Sequence, residues 1–158
     1  MFEGARLART FDVKLGIGAR LLAHESVVFG RTAMKETVRT GSFRDTWRIY
    51  REGALIHADA MRLDGNIEST LSRTATLNGA TAMATILYIG PDLGEQLDMV
   101  RFCIDNIGSD AAIGGASAWA SKLVCRIVAT DGAALRRMVM PVLEILHDGR
   151  ALPRVWNI

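Results

Sequence analysis

From 10 to 89, apolar and polar residues follow the two-residue period of β-strands, interrupted at intervals by glycine. Phe11, Val13 and Leu15 alternate with Asp12 and Lys14, and a Gly16-Ile17-Gly18 turn leads into the aliphatic stretch 19–29. Further strands are predicted around 36–39, 43–51, 54–63, 67–77 and 81–89, punctuated by Gly41, Gly53, Gly65 and Gly79. Turn signals at this spacing predict an antiparallel or coiled β-architecture. No fixed-period internal repeat is visible.

The period changes after Pro91. Leu93, Leu97, Val100, Ile104 and Ile107 recur at helical spacing, with Pro91 suited to the first turn. Residues 112–119 and 122–129 return to strand character. Thr130 and Asp131 then supply an N-cap for a second helix, whose apolar stripe is Leu135, Met138, Val139, Val142, Leu143 and Leu146. Pro141 is expected to kink that helix and Gly149 to end it. The predicted fold is mainly β with two α-helices, in a single domain over 1–158 with no internal linker.

One polar residue breaks the binary pattern. Alternation puts Phe43, Asp45, Trp47 and Ile49 on one strand face, and Arg44, Thr46, Arg48 and Tyr50 on the other. A carboxylate among apolar side chains is costly to bury alone, so Asp45 is expected to have an arginine or backbone N–H partner. Together with Glu25, Arg31, Glu36 and Arg48 it forms a candidate cluster for partner docking or an internal polar path.

Composition narrows the class. Of the 158 residues, 49% are apolar and 23% charged, the balance of a globular domain. No run of apolar residues is long enough to cross a membrane, and Met-Phe-Glu-Gly-Ala-Arg lacks a signal-peptide layout, so a cytoplasmic protein is expected. The net charge of +2 conceals a basic–acidic–basic order: residues 63–121 hold seven acids and two bases, between two basic blocks. Such patches suit protein partners. With no Lys/Arg run and only 6% aromatics, the chain is a poor nucleic-acid binder.

Residue chemistry gives little support to catalysis. Gly115-Ala116-Ser117-Ala118-Trp119 is half of a nucleophile elbow, but Trp119 replaces the second glycine and a strand-to-strand context is predicted. Gly16-Ile17-Gly18-Ala19-Arg20-Leu21 fails as a dinucleotide fingerprint at its last glycine. His24, His57 and His147 are dispersed, and no Cys/His pair has metal-ligand spacing. His24 and Glu25, as strand neighbours, point to opposite faces. Cys103 and Cys125 are expected as reduced, buried thiols. The residues alone leave open a β-rich protein-binding module of unknown partner and, more remotely, a hydrolase using Ser117.

Three ordered segments add a resemblance. Val28-Phe29-Gly30-Arg31-Thr32-Ala33-Met34-Lys35-Glu36 resembles the GR-x-AMGE stretch of the urease accessory protein family UreD, also called UreH. Residues 115–126, Gly115-Ala116-Ser117 through Trp119, Lys122-Leu123 and Arg126, are similar to its GAS-x-W-x-x-KL-x-x-R segment. Leu152-Pro153-Arg154-Val155-Trp156 is similar to its LPRVW ending, where the tail is expected to dock. Lys35 departs from the family's usual glycine. The resemblance covers the C-terminal portion of a member, so the N-terminal strands are expected to be missing. It implies a coiled, β-solenoid-like sheet architecture and a non-enzymatic scaffold for urease maturation. Its implied partners are the urease apoprotein and the accessory proteins UreF and UreG. It implies no tightly bound cofactor, only transient nickel in a water-filled interior passage. Arg31 and Glu36 match the first motif position for position, which makes Glu36 the leading candidate.

Overall fold

Strand β3 (Thr40–Arg51) organises the first half of the chain. It lies between β1 (Arg6–Leu15) and β4 (Ala54–Asn66) in a three-stranded sheet. The computed structural model describes residues 1–30 and 38–153. Arg31 and Glu36, and the tail residues Arg154, Val155 and Trp156, lie outside the described residues. β3 pairs antiparallel with β4 through the two-residue turn Glu52-Gly53, both at positive φ. Its pairing with β1 is parallel rather than antiparallel. A parallel pair needs a crossover, and β2 (Leu21–Val28) lies between the two strands along the chain.

The segment expected as a strand over 67–77 is instead a short helix, α1 (Ile67–Leu71), followed by turns. Ile67 and Leu71 are four apart, a spacing that places them on one face of either element, so alternation could not separate the two. The cap decides: the Asn66 side chain accepts the Ser69 N–H at 2.8 Å, satisfying a first-turn donor. The described residues therefore hold three helices rather than two, in a mainly β chain of two open sheets.

The second sheet has the order β2, β5 (Ala82–Ile89), β7 (Lys122–Ala129), β6 (Ala112–Trp119). All eight residues of β5 are buried, which explains its unbroken apolar run. Helices α2 (Leu93–Ile107) and α3 (Gly132–Leu146) pack on this sheet. The whole predicted stripe of α3, from Leu135 to Leu146, is buried. Asp131 caps the helix, its Oδ1 accepting the Ala134 N–H at 2.8 Å. The helix runs on through Pro141, and its end is a Schellman turn: Gly149 N–H reaches Glu144 O at 2.9 Å and Asp148 N–H reaches Ile145 O at 3.2 Å. The first left-handed residue there is Asp148, with Gly149 following it. α2 begins at Leu93 with Asp92 at its N-cap, so Pro91 precedes the helix instead of standing in its first turn.

By its contacts the chain forms two compact units that interleave in sequence. One comprises Met1–Ala19 and Val28–Ala80; the other comprises Arg20–Val27 with Thr81 and the residues after it. No helix among the described residues is long and apolar enough to cross a membrane.

The β6–β7 connection carries backbone strain. Its two turn residues, Ala120 and Ser121, have φ of 44° and 62°, a primed turn built without glycine or asparagine. Left-handed backbone costs roughly 1–2 kcal/mol for an ordinary L-residue. The double replacement Ala120→Asn with Ser121→Gly is expected to stabilise the protein by about 1 kcal/mol in chemical denaturation. A loss of stability would mean that the Ala120 or Ser121 side chain makes a contact worth more than the strain.

Candidate functional site

The alternation expected for β3 holds residue by residue. Phe43, Asp45, Trp47 and Ile49 are buried, whereas Arg44 and Arg48 are exposed. Asp45 is 8% exposed inside this apolar face. Two partners satisfy it. The Trp47 indole Nε1 donates to Oδ2 at 2.9 Å, and Arg9 Nε lies 3.7 Å from Oδ1. Arg9 stands opposite Asp45 in the β1–β3 register, and its guanidinium also sits 5.0 Å from the centroid of the Phe43 ring. Around this seam Phe11 packs on Trp47 at 5.1 Å and Phe29 meets Phe43 edge-on at 6.1 Å.

β4 completes the same face. Asp59 is directly opposite Trp47 and His57 opposite Ile49, and His57 is buried. Arg9, His57 and Asp59 are thus site residues that sequence reasoning missed as a group. The signal was the odd-numbered alternation of 55–63, which sets His57 and Asp59 on one face with Met61 and Leu63. What the sequence could not supply was the register that lays this face beside Asp45.

Of the predicted cluster, Asp45, Arg48 and Glu25 lie among the described residues. Asp45 and Arg48 share β3 but point to opposite faces. Arg48 Nη1 pairs with Asp12 Oδ1 at 3.6 Å on the solvated side, where Arg44 and Arg62 also meet Asp64 at 3.6 and 3.3 Å. Such half-exposed pairs contribute roughly 0–1 kcal/mol each. Glu25 is half-buried on β2, in the other compact unit.

The second matched segment forms the β6–β7 hairpin. Gly115, Ser117 and Trp119 alternate along β6, opposite Arg126, Val124 and Lys122 of β7, so all six share one sheet face. Lys122 Nζ lies 4.9 Å from the Trp119 ring centroid, closing the pair beside the turn. Ser117 is exposed in mid-strand, with no strand-to-helix elbow beneath it.

Titratable groups elsewhere follow from burial. The His24 ring is largely withdrawn from water, which lowers its pKa, and Nε2 meets Ser26 Oγ at 2.7 Å. Burial pushes the Cys125 thiol up to about 12 and also raises Cys103; both cysteines are free. Thiols so disfavoured as thiolates are weak nucleophiles and weak metal ligands. Among the described residues no group of three or more His, Cys, Asp or Glu is placed to hold a metal ion.

Known proteins match along the whole chain. The family model described as UreD urease accessory protein matches residues 1–157. The chain is similar to the urease accessory protein UreD of Rhizobium etli, 46% identical over 158 residues, covering all of this chain and 56% of that protein. It is 45% identical over 158 residues to its counterpart in Rhizobium leguminosarum bv. viciae, again covering 100% and 56%. To that of Sinorhizobium medicae it is 42% identical over 162 residues, covering 100% and 57%. The chain therefore spans a little over half the length of these curated relatives.

Two outcomes test the site's energetics. Asp45→Ala removes the acceptor of the buried Trp47 N–H and one partner of Arg9, whose side chain is 34% exposed, and is expected to cost about 2 kcal/mol in chemical denaturation. Arg48→Ala is expected to cost under about 1 kcal/mol. Equal losses would place both residues in the same environment, against the alternation.

A pH experiment tests His24. Burial holds its folded pKa below the ordinary histidine value of 6.5, so the unfolded chain binds the proton more readily. Stability is then complete above the unfolded pKa and falls as the pH drops from about 6.5 towards the lower folded value. Thermal midpoints from pH 8 to about pH 5 should fall for the parent chain and flatten for His24→Gln.

Proposed function

The chain belongs to the UreD urease accessory protein family, and from that membership we propose that it serves urease maturation as a non-enzymatic scaffold in the cytoplasm. In this reading it bridges the urease apoprotein to the accessory proteins UreF and UreG, with nickel as the cargo that passes between them. The observation that carries the reading is the family match over residues 1–157.

The geometry supports a division of labour among the candidate residues. Asp45, with Arg9, Trp47 and Asp59, gives an otherwise apolar sheet face a polar strip. Carboxylates, backbone carbonyls and water hold a divalent ion more weakly than thiolate or imidazole cages do. With the Asp45 oxygens already engaged by Trp47 and Arg9, the strip offers no carboxylate cage, which suits passage rather than storage. Arg48, on the solvated face, is assigned to partner docking, and Glu25 to docking or to a polar path. Arg31 and Glu36 are proposed to act with them. A coiled, solenoid-like β-architecture is proposed as the fold of the family to which this mainly β chain belongs.

The experiment places Glu36→Gln in a full-length family background and compares nickel occupancy of co-expressed urease with the variant's thermal midpoint. The expected result is a severalfold loss of occupancy at a nearly unchanged midpoint. A midpoint that falls with occupancy would make Glu36 part of a structural ion pair, whose loss costs up to about 3–5 kcal/mol when buried. No change in either would remove Glu36 from the mechanism.

A further inference from the structure

Helix α2 buries one side and leaves the other exposed. Val100 and Ile104 are buried, with Leu93 and Leu97 half-buried beside them. On the opposite side Met99 is 45% exposed and Phe102, three residues on, is 71% exposed. These are neighbours on one helical face. The same exposed surface carries Glu95, Asp98 and Asp105, one helical turn apart or two. The helix's one base, Arg101, is engaged: its Nε donates to the Ala116 carbonyl of β6 at 3.1 Å. The result is an apolar centre with an acidic rim, inside the segment 63–121 that holds seven acids and two bases.

We propose that this outward face of α2 docks a basic amphipathic segment of a protein partner. The apolar pair supplies the kind of anchor that buried interface centres use, and the acids supply steering and register towards lysine or arginine at the rim. Nucleic acids and anionic membranes carry the wrong sign for such a surface. Two copies of the face would repel one another through the same acids. The inference stands on this surface alone and does not use the maturation reading.

The test measures fluorescence anisotropy of a labelled helical peptide of leucine and lysine, leucines at i, i+3, i+4 spacing, against the full 158-residue chain. A control peptide replaces the leucines by serine. The amphipathic peptide is expected to bind, to weaken as salt rises, and to lose about tenfold or more in affinity with Phe102→Ser. Asp98→Asn with Asp105→Asn should weaken binding and flatten its salt dependence. Both variants change exposed residues, and unchanged thermal midpoints would show that each remains folded. Equal affinity of the parent chain and Phe102→Ser, or equal binding of the serine control, would overturn the proposal. So would concentration-dependent dimerisation abolished by Phe102→Ser, which would make a second copy the occupant.

Discussion

A carboxylate buried in an apolar sheet face sets the register of the first sheet. Asp45 is compensated only while Arg9 stands opposite it on β1 and the Trp47 indole reaches its second oxygen. Strand side chains alternate with a period of two, so a one-residue slip of β1 would turn Arg9 to the solvated face. It would also withdraw Leu7, Phe11 and Val13 from the face of Phe43, Trp47 and Ile49. The apolar contacts alone reward several registers of a sheet that has mixed burial. The ion pair rewards one, because the cost of an uncompensated buried charge exceeds that of a displaced methyl group.

The second sheet is organised differently. One of its two inner strands, β5, is buried throughout, and its only side-chain polar groups are the hydroxyls of Thr85 and of Tyr88, which donates to the Pro91 carbonyl at 3.3 Å. Close packing does the specifying. Gly114 of β6 admits Met138 of α3: a Cβ built there would lie 3.3 Å from the Met138 sulfur and 3.0 Å from an Ile127 side-chain carbon. A larger residue at 114 would have to displace the helix or its neighbours. Helix α3, apolar along its whole inner stripe, is committed to this sheet, whereas α2 divides its apolar residues between two sides.

The two faces of β3 show how little composition says about energy. Arg48–Asp12 and Arg9–Asp45 are both arginine–aspartate pairs across the same two strands, three residue pairs apart in register. One is half-exposed on both sides and screened by water; the other has its aspartate buried beside Trp47 and its arginine, 34% exposed, over the Phe43 ring. Burial makes the second pair indispensable without making it strongly stabilising, since desolvation offsets much of its attraction. For an accessory protein, that leaves a polar strip held in place within an apolar layer.

Much of this was legible in the residues. The period-two alternation of 43–49 placed Asp45 on the apolar face and called for an arginine or backbone N–H partner; the stripe from Leu135 to Leu146 and the Asp131 cap defined α3; three motifs identified the family. These are local properties, fixed by the geometry of one strand or helix and readable along the chain. The identity of the arginine was not local. Arg9 is 36 positions from Asp45, and only the parallel β1–β3 register brings them together. The same holds for His57 and Asp59, set beside Trp47 and Ile49 by the β3–β4 hairpin, and for the outward side of α2, whose exposure depends on what packs elsewhere. At 67–71 the spacing fitted both strand and helix, and a single side-chain cap settled it. Sequence determined which faces each element has; tertiary pairing decided which faces meet, because contact across strands depends on register and burial, not on neighbours in the chain.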